Sequence, residues 1–355
     1  MKERVNTITV SSTMSILAAL RRMDEVGYKL LIIRDVDAFQ GLLSIGDIQR
    51  AIIKNVDMAT VITDILRTDI LVCYEEMSRE EIKRELLRTR SVFMPILSHD
   101  KKLVDVAFWD EFFPSDDVTV VEKLGLPVVI MAGGVGSRLR PLTHVLPKPL
   151  LPIGEKTIIE TIMDKFVRVG CQKFFLSLNY KASMIRHYFK ELNASQYEIT
   201  CFEEEAPLGT AGSLSLLRSQ LTQTFFVTNC DIIIDQEIEE VLKYHRENRN
   251  ELTIVAALKH IKLAYGALVT GPEGLLERLD EKPDLVFKVN SGVYVLEPQL
   301  LAEIPEKTVF NMTELIDVIL ARGGRVGVFP ISEGCWTDIG NWDDYQKCIL
   351  ASQRV

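Results

Sequence analysis

Apolar and polar positions follow a regular alternation of two patterns from about residue 127 onward. Continuous apolar runs with polar ends predict strands at "PVVIMAGG", "KFFLSLN", "ITCFEEE" and "FFVTNCDII". Between them, apolar residues recur with helical spacing in "TIIETIMDKFVRVG", "KASMIRHYFKEL" and "TAGSLSLLRSQL". Apolar strands that alternate with helices are typical of a parallel sheet covered on both faces. We therefore predict an α/β domain over residues 127–355 with a Rossmann-like, mostly parallel sheet.

The first 122 residues contain one pattern twice. Residues 30–47 align without gaps with residues 93–110, and each segment predicts a strand, a polar turn, a second strand and an acidic residue that opens a helix. A stretch with helical periodicity precedes each segment. This repetition predicts a separate N-terminal domain over residues 1–122, built from modules at about 1–60 and 61–122, with a short linker near 120–126.

Composition and charge narrow the class of protein. The chain is 47% hydrophobic and 26% charged, as in an ordinary globular protein. Its net charge of −9 argues against a general nucleic-acid or anionic-membrane surface, so we expect neither partner. The six cysteines are scattered, and the N-terminal residues lack the apolar segment of a signal peptide. We therefore expect a cytoplasmic protein.

The loop after the first strand of the second domain, "GGVGSRLRPLTHVLPKPLLPIG", combines glycines with cations. Glycines after a strand let backbone N–H groups approach a nucleotide, and Arg138 and Lys148 add positive charge against phosphates. A dinucleotide-binding G-x-G-x-x-G loop would open a helix at once, and a Walker A loop would need G-K-[ST]. Because neither condition is met, the loop predicts a different kind of triphosphate site at the ligand edge of the sheet.

The full string "AGGVGSRLRPLT…PKPLLPIG" closely resembles the signature of the sugar-1-phosphate nucleotidylyltransferases. Further motifs of that family follow in the family's order, namely "EEEAPLGTAGSL", "VTNCD", "AYGALV", "DEKPD", "VNSGVYVL" and "WTDIG". The resemblance covers residues 128 to about 345. It implies a GT-A-like nucleotidyltransferase fold, and the transfer of a nucleotidyl group from an NTP to a sugar 1-phosphate. The products would be pyrophosphate and an NDP-sugar for cell-surface glycan synthesis.

The resemblance also assigns site residues. Asp231 and Asp338 match the family's metal-binding aspartates and would hold Mg²⁺ or Mn²⁺; with Arg138 and Lys148 they form the expected catalytic set. The expected nucleotide-binding residues are Ala132, Gly133, Gly134, Gly136, Ser137, Glu204, Glu205 and Gly209. The expected sugar-phosphate-binding residues are Gly266, Glu281, Lys282, Asn290 and Gly292.

Our expectations for the nucleotide base and the sugar rest on closer resemblance to particular members of this family. The "PLGTAGSL" loop looks most like guanylyltransferases that use mannose, heptose or glucosamine 1-phosphates. Carboxylates at residues 203–205 could accept hydrogen bonds from guanine N1–H and its amino group, which uracil cannot supply together. With its N-terminal repeat, the chain is similar to the glucosamine-1-phosphate guanylyltransferases of legionaminic acid synthesis. We expect GTP and glucosamine 1-phosphate or a related hexose or heptose 1-phosphate, with UTP and CTP as alternatives.

The N-terminal repeat resembles a tandem CBS domain pair, a module that often binds adenine nucleotides. In that family a Ser or Thr three residues before an Asp contacts the ligand ribose, and "SIGD" supplies Ser44 and Asp47. The second copy has Ala107 in place of the hydroxyl and keeps Asp110. The resemblance implies an adenine nucleotide effector and a homo-oligomer. The alternative is that Asp47 and Asp110 are merely helix N-caps, a role that needs no ligand.

Two other functions stay open from the sequence. One is a regulatory protein that senses a nucleotide without turnover, against which the joint presence of the catalytic residues and Lys282 counts. The other is a bifunctional enzyme with an acyltransferase tail, for which we find no hexapeptide repeats after "WTDIGNWDDY".

Overall fold

The computed structural model describes residues 2–35, 38–113, 123–192, 195–204 and 206–352. The described residues before 114 form one compact unit, and those after 122 form a second. Of the predicted linker, residues 120–122 lie outside the described part of the chain. Each unit is described by itself below.

The N-terminal unit repeats one arrangement of strands. It contains two three-stranded sheets, each with one parallel and one antiparallel pair. The predicted repetition of strand, turn, strand and helix is therefore confirmed. The elements are α1 (Lys2–Thr7), β1 (Thr9–Val10), α2 (Ile16–Val26), β2 (Leu30–Asp35), β3 (Ala38–Ser44), α3 (Ile45–Ile53), a 3₁₀ helix (Ile62–Ile65), β4 (Cys73–Tyr74), α4 (Arg79–Thr89), β5 (Phe93–Leu97), β6 (Leu103–Phe108) and α5 (Trp109–Phe112).

Asp47 is not a helix N-cap, contrary to the alternative drawn from the sequence. Ser44 has the extended backbone of an N-cap, and its hydroxyl accepts a hydrogen bond from the N–H of Asp47. Asp47 is the third helical residue, and its Oδ2 accepts bonds from Ser44 N at 2.8 Å and Ser44 Oγ at 2.6 Å. Asp110 is not an N-cap either, because it lies inside the first turn of α5, after the N-cap Phe108.

The C-terminal unit is built on a seven-stranded sheet of order β11-β10-β7-β12-β17-β14-β18. Of these strands only β17 runs against the others, so the predicted mostly parallel sheet is confirmed. The strands are β7 (Val128–Met131), β8 (Pro152–Ile153), β9 (Lys156–Thr157), β10 (Lys173–Leu178), β11 (Glu198–Glu203), β12 (Phe225–Asn229), β13 (Ile232–Ile234), β14 (Leu252–Lys262), β15 (Ala267–Thr270), β16 (Leu276–Asp280), β17 (Asp284–Leu296), β18 (Val326–Ile331) and β19 (Trp336–Asp338).

Helices cover both faces of this sheet. Val128 and Ile130 of β7 face one apolar core, and Val129 between them faces another, as the two-residue period of a strand requires. The helices are α6 (Leu142–Val145), α7 (Ile158–Arg168), α8 (Ala182–Leu192), α9 (Gly209–Gly212), α10 (Ile238–Glu247), α11 (Met312–Ala321) and α12 (Trp342–Ser352). The 3₁₀ helices are Ser137–Leu139, Lys148–Leu150, Ser213–Leu217, Pro272–Gly274, Pro298–Glu303 and Glu333–Cys335.

The predicted helix over residues 210–221 is wrong in its form. One α-helical turn at α9 is followed by a 3₁₀ helix, although Leu214, Leu217 and Leu221 are buried. The start of this segment contacts a distant part of the chain. The N–H groups of Ala211 and Gly212 both donate to Phe310 O, at 3.0 and 2.8 Å. A Cβ at position 212 would lie only 2.7 Å from Thr308 O, so a residue with a side chain would not fit there without a shift.

Asp47 provides a stability test of the N-terminal unit. Its buried carboxylate also forms an ion pair with Arg67 Nε at 2.9 Å and a second ion pair with Arg50. Asp47→Ala removes the capping interaction and these contacts together, so we expect a loss of about 2 kcal/mol in the free energy of unfolding. Glu81→Ala is the matched control, because Glu81 closes the same kind of capping box with Ser78 but is exposed. Urea unfolding with hydrogen exchange of α3 and α4 would measure both; equal losses would contradict the role of the arginines.

Candidate active site

A cavity of about 390 Å³ opens where the parallel strands β7, β10 and β12 end. In sheets of this type ligands bind outside the carboxyl ends of the strands. The lining residues come from those strand ends and from three loops. They are Met131, Gly133, Gly134, Gly136, Ser137, Arg138, Lys148, Asn179, Glu204, Pro207, Gly209, Thr210, Asn229, Cys230, Asp231 and Gly340.

The glycine loop after β7 is held in a conformation that requires glycine. Gly136 has φ of +65°, which L side chains rarely adopt. A Cβ at that position would lie 2.9 Å from Cγ2 of Thr143 and 3.1 Å from Cβ of Lys148. The carbonyl of Gly136 accepts a bond from the Thr143 hydroxyl at 2.9 Å. Because Gly133, Gly134 and Gly136 all line the cavity, backbone forms this part of its wall.

Two distant carboxylates meet beside this loop. Strands β13 and β19 pair antiparallel, with Ile232 opposite Asp338, and Ile339 N donates to the carbonyl of Asp231 at 2.9 Å. The pairing therefore brings Asp231 and Asp338 together, as the family resemblance implied. Lys148, which is only 6% exposed, donates from Nζ to Asp231 Oδ2 at 2.5 Å.

The Asp338 carboxylate lies in an unfavourable environment. Burial raises the pKa of Asp338, and the negative charge of Asp231 raises it further, whereas Lys148 and Arg138 oppose the rise. Its Oδ1 is buried and has no hydrogen-bond partner among the residues that the structure describes. Oδ1 lies 2.7 Å, and the terminal nitrogens of Arg138 lie 3.1 Å, from where a Cβ of Gly340 would stand. Gly340 thus leaves the space in which these charges approach each other.

This donor set fits a divalent cation that shares its ligands with a substrate. Within the described ranges, no cluster of three or more His, Cys, Asp or Glu side chains could hold a metal by itself. Mg²⁺ is commonly bound by one or two carboxylates and completed by phosphate oxygens and water. Asp231 and the unpartnered oxygen of Asp338 match that requirement.

The cavity lining also includes Glu204, whose Oε1 lies 3.6 Å from the Cβ position of Gly133. Its Oε1 accepts a bond from the Ser177 hydroxyl at 2.5 Å, and its Oε2 accepts one from Leu208 N at 2.8 Å. Glu204 therefore ties the loop before Gly209 to the end of β10. Gly209 has φ of +80°, and a Cβ there would lie 2.7 Å from Phe310 O. Glu205, the other expected base partner, lies outside the described residues.

Comparison with known proteins agrees with this architecture. Residues 127–354 match the family model described as "Nucleotidyl transferase". The chain belongs to the nucleotidyl transferase family. Residues 2–54 match the model of the CBS domain.

Similar proteins of the nucleotidyl transferase family include several guanylyltransferases. "Mannose-1-phosphate guanylyltransferase 1" of Arabidopsis thaliana is 33% identical over 228 residues, 62% of this chain and 63% of that protein. "Mannose-1-phosphate guanylyltransferase catalytic subunit beta" of Danio rerio is 33% identical over 230 residues, 62% of each chain. The match thus spans less than two thirds of the length of these relatives.

Solved structures show the same likeness. HddC from Yersinia pseudotuberculosis superposes with a TM-score of 0.51 at 25% identity, covering 64% of this chain and 99% of that one. The same protein has been solved complexed with GMP-PN.

The nucleotidyl transferase unit places the expected sugar-phosphate residues outside the lining of this cavity. Gly266, Glu281 and Lys282 lie at the base of the β15–β16 hairpin, with Glu281 Oε2 3.1 Å from the Cβ position of Gly266. Asn290 is exposed on β17. Gly292 is not in the lining but contacts a lining residue, because its Cβ position is 2.6 Å from Nδ2 of Asn229. Ala132 is fully buried, and its N–H donates to Ser177 O at 2.9 Å.

Several lining residues of the nucleotidyl transferase site were missed by sequence reasoning. Asn179 and Asn229 each directly end or follow a parallel strand, and that position was a usable signal. Gly340 stands two residues after Asp338 in "WTDIG", and Thr210 follows Gly209. Ser177 is not in the lining but binds the lining residue Glu204, and no signal in the sequence pointed to it because its role depends on that contact.

In the CBS-like unit, the expected effector residues are engaged within the chain. Both oxygens of Asp47 are used, by Ser44 on one side and by Arg50 and Arg67 on the other. Asp110 is exposed and forms a 3.0 Å salt bridge with Arg4. Among the described helices, none has the length and apolar character needed to cross a membrane.

The raised pKa of Asp338 predicts a gain in stability when its charge is removed. A carboxyl whose pKa is raised by folding stabilises the fold below its unfolded pKa and loses that contribution as pH rises through the folded pKa. Without metal, Asp338→Asn should therefore raise the free energy of unfolding at about pH 7.5 by about 1 kcal/mol, with a smaller gain near pH 4.

Asp344→Asn is the opposite control, because Lys347, and then Asn341, lower the pKa of Asp344. This substitution should destabilise at neutral pH and have less effect as pH falls. Urea unfolding in EDTA at both pH values measures the sign of the change in the free energy of unfolding for each variant. A loss of stability in Asp338→Asn at neutral pH would contradict the unfavourable environment deduced for Asp338.

Proposed function

We propose that the chain is a sugar-1-phosphate guanylyltransferase, which transfers GMP from GTP to a hexose or heptose 1-phosphate. The observation that carries this proposal is the joining of the glycine loop, Arg138, Lys148 and Asp231 around one cavity, with Asp338 beside the lining residue Gly340. The activities for which the relatives are named, and the GMP-PN complex of HddC, support guanine as the base.

The proposed reaction needs no general base. The sugar phosphate oxygen is already anionic, attacks the α-phosphorus of GTP and displaces pyrophosphate as the bond between the α-phosphorus and its bridging oxygen breaks. Catalysis then depends on positioning and on relief of charge repulsion between two anions. Arg138 and Lys148 provide positive charge at the cavity wall, where the phosphates of GTP would lie.

Asp231 and Asp338 would hold Mg²⁺ or Mn²⁺, which supplies positive charge to the reacting phosphates. The carboxylate of Glu204 keeps the loop from Leu208 to Gly209 against β10. In this role Glu204 shapes the base pocket, and each of its oxygens has one lone pair left for a guanine N–H. GTP binding would thus use the Glu204 carboxylate for the guanine base and the backbone of the glycine loop for the phosphates.

The identity of the sugar is proposed from the resemblance of the chain to other proteins. The relatives are named for mannose 1-phosphate, whereas the N-terminal repeat favours glucosamine 1-phosphate. Both sugars present the same attacking phosphate oxygen and differ at ring carbon 2.

The direct experiment incubates the full chain with each NTP and a panel of sugar 1-phosphates, with pyrophosphate release as the readout. The panel includes mannose, glucosamine, glucose and heptose 1-phosphates. We expect release with GTP and Mg²⁺ at a rate at least tenfold above that with UTP or CTP. No release with any pair of substrates would leave a nucleotide-binding regulator as the better function.

Steady-state kinetics can distinguish the role assigned to Arg138 from the role assigned to Lys282. Arg138→Ala should raise the KM for GTP about tenfold or more, because Arg138 lines the nucleotide cavity. Lys282→Ala should instead raise the KM for the sugar 1-phosphate, because Lys282 lies on the hairpin base that carries the expected sugar residues. Lys262→Ala, an exposed lysine near that base, is the matched control and should leave both values unchanged. The reverse pattern would show that the two substrate sites are assigned the wrong way round.

A further inference from the structure

Lys148 forms an ion pair with Asp231, one of the two carboxylates that would bind the metal. Its Nζ donates to Asp231 Oδ2 at 2.5 Å, and its side chain is 7% exposed. A buried ammonium needs a partner of opposite charge, and Asp231 is the ion-pair partner that the structure provides for it. The ammonium and a divalent cation therefore compete for one carboxylate oxygen.

The surroundings form a balanced set of charges. Two carboxylates, Asp231 and Asp338, face two cations, Lys148 and Arg138, within one small region beside Gly340. The set is neutral as it stands. A divalent cation that entered alone would leave an excess of positive charge at short range, whereas a cation that entered with a polyphosphate would bring its own anions.

The backbone and the Cβ of Lys148 are held in place. The 3₁₀ helix Lys148–Leu150 fixes its backbone, with Leu151 N donating to Lys148 O at 3.1 Å. The Cβ of Lys148 lies against Gly136, 3.1 Å from the Cβ position of that glycine. The four-carbon stem is flexible beyond this point, and its ammonium is a compact charge that can change partners.

We propose that Lys148 is an internal counter-cation of the metal site, which holds Asp231 until a divalent cation arrives with the nucleotide and then transfers to the phosphates. The transfer to phosphate rests on the proposed function; the competition for Asp231 does not. Lys148 is in this respect a positioning residue. Metal alone then binds weakly, and metal and nucleotide bind with positive coupling, because each removes a cost of binding the other.

The test measures Mn²⁺ binding to the full chain without nucleotide, by electron paramagnetic resonance of free Mn²⁺. Lys148→Met keeps the buried stem and removes the charge, so we expect Mn²⁺ affinity to rise at least tenfold over wild type. Lys165→Met is the matched control: it removes a lysine that pairs with Asp235 at 2.9 Å in the same unit, away from the cavity lining. It should leave Mn²⁺ affinity unchanged within about twofold.

A third variant tests whether the gain in Mn²⁺ affinity depends on Asp231. Adding Asp231→Asn to Lys148→Met should abolish the gain, because the vacated carboxylate is then absent. The inference is overturned if folded Lys148→Met binds Mn²⁺ as wild type does, or if the gain survives Asp231→Asn. A gain in Mn²⁺ affinity in Lys148→Met, with no pyrophosphate release by the wild-type chain, would uphold the competition at Asp231 and reject the proposed function, so the two failures are distinguishable.

A measurement on the wild type covers the case in which Lys148→Met does not fold. Reductive methylation followed by mass spectrometry reports how readily each lysine reacts. Saturating Mn²⁺ without nucleotide should release Lys148 from Asp231 and raise its methylation rate at least threefold, with Lys165 unchanged. An unchanged rate for Lys148 would overturn the inference.

Discussion

The candidate site depends on the short antiparallel pairing of β13 with β19. This pairing sets Ile232 opposite Asp338 and so brings together two carboxylates that repel each other. Ile232 and Ile234 are buried in the same core as Ile339, and burial of each such side chain stabilises by about 2 kcal/mol. Apolar packing around the strand pair is therefore strong enough to hold the acidic residues in a place that their charges alone would disfavour.

The rest of the site is arranged around that repulsion. Lys148 neutralises Asp231 through a direct ion pair, whereas Asp338 keeps an oxygen with no partner in the described part of the chain. A buried acceptor without a partner costs stability, and such groups are concentrated where a protein binds something. The unfavourable position of Asp338 is thus consistent with a ligand that completes the charge balance, and less consistent with a purely structural role.

Close backbone approach is the second requirement of the cavity. Gly136, Gly209 and Gly340 each stand where a Cβ would come within 3 Å of another group. The Cβ position of Gly209 is 2.7 Å from Phe310 O, which is distant in sequence, whereas that of Gly340 is 2.7 Å from Asp338 Oδ1 and 3.1 Å from the terminal nitrogens of Arg138. Each glycine therefore permits close contact with a particular neighbour, and the five glycines of the cavity lining expose backbone that a polyphosphate can approach.

The sequence by itself determined the features that arise from local periodicity and local hydrogen bonding. The alternation of apolar runs and helical stretches predicted the α/β sheet, the repeat predicted the N-terminal unit, and the cationic glycine loop predicted the edge of the sheet where the cavity lies. Tertiary structure decided the rest. The contact of residues 211 and 212 with Phe310, the ion pair of Arg67 with Asp47 and the ion pair of Lys148 with Asp231 all join residues that lie far apart along the chain. Propensity and spacing report only the energies of near neighbours, whereas these contacts exist because the folded core brings distant backbone and charge within a few ångströms.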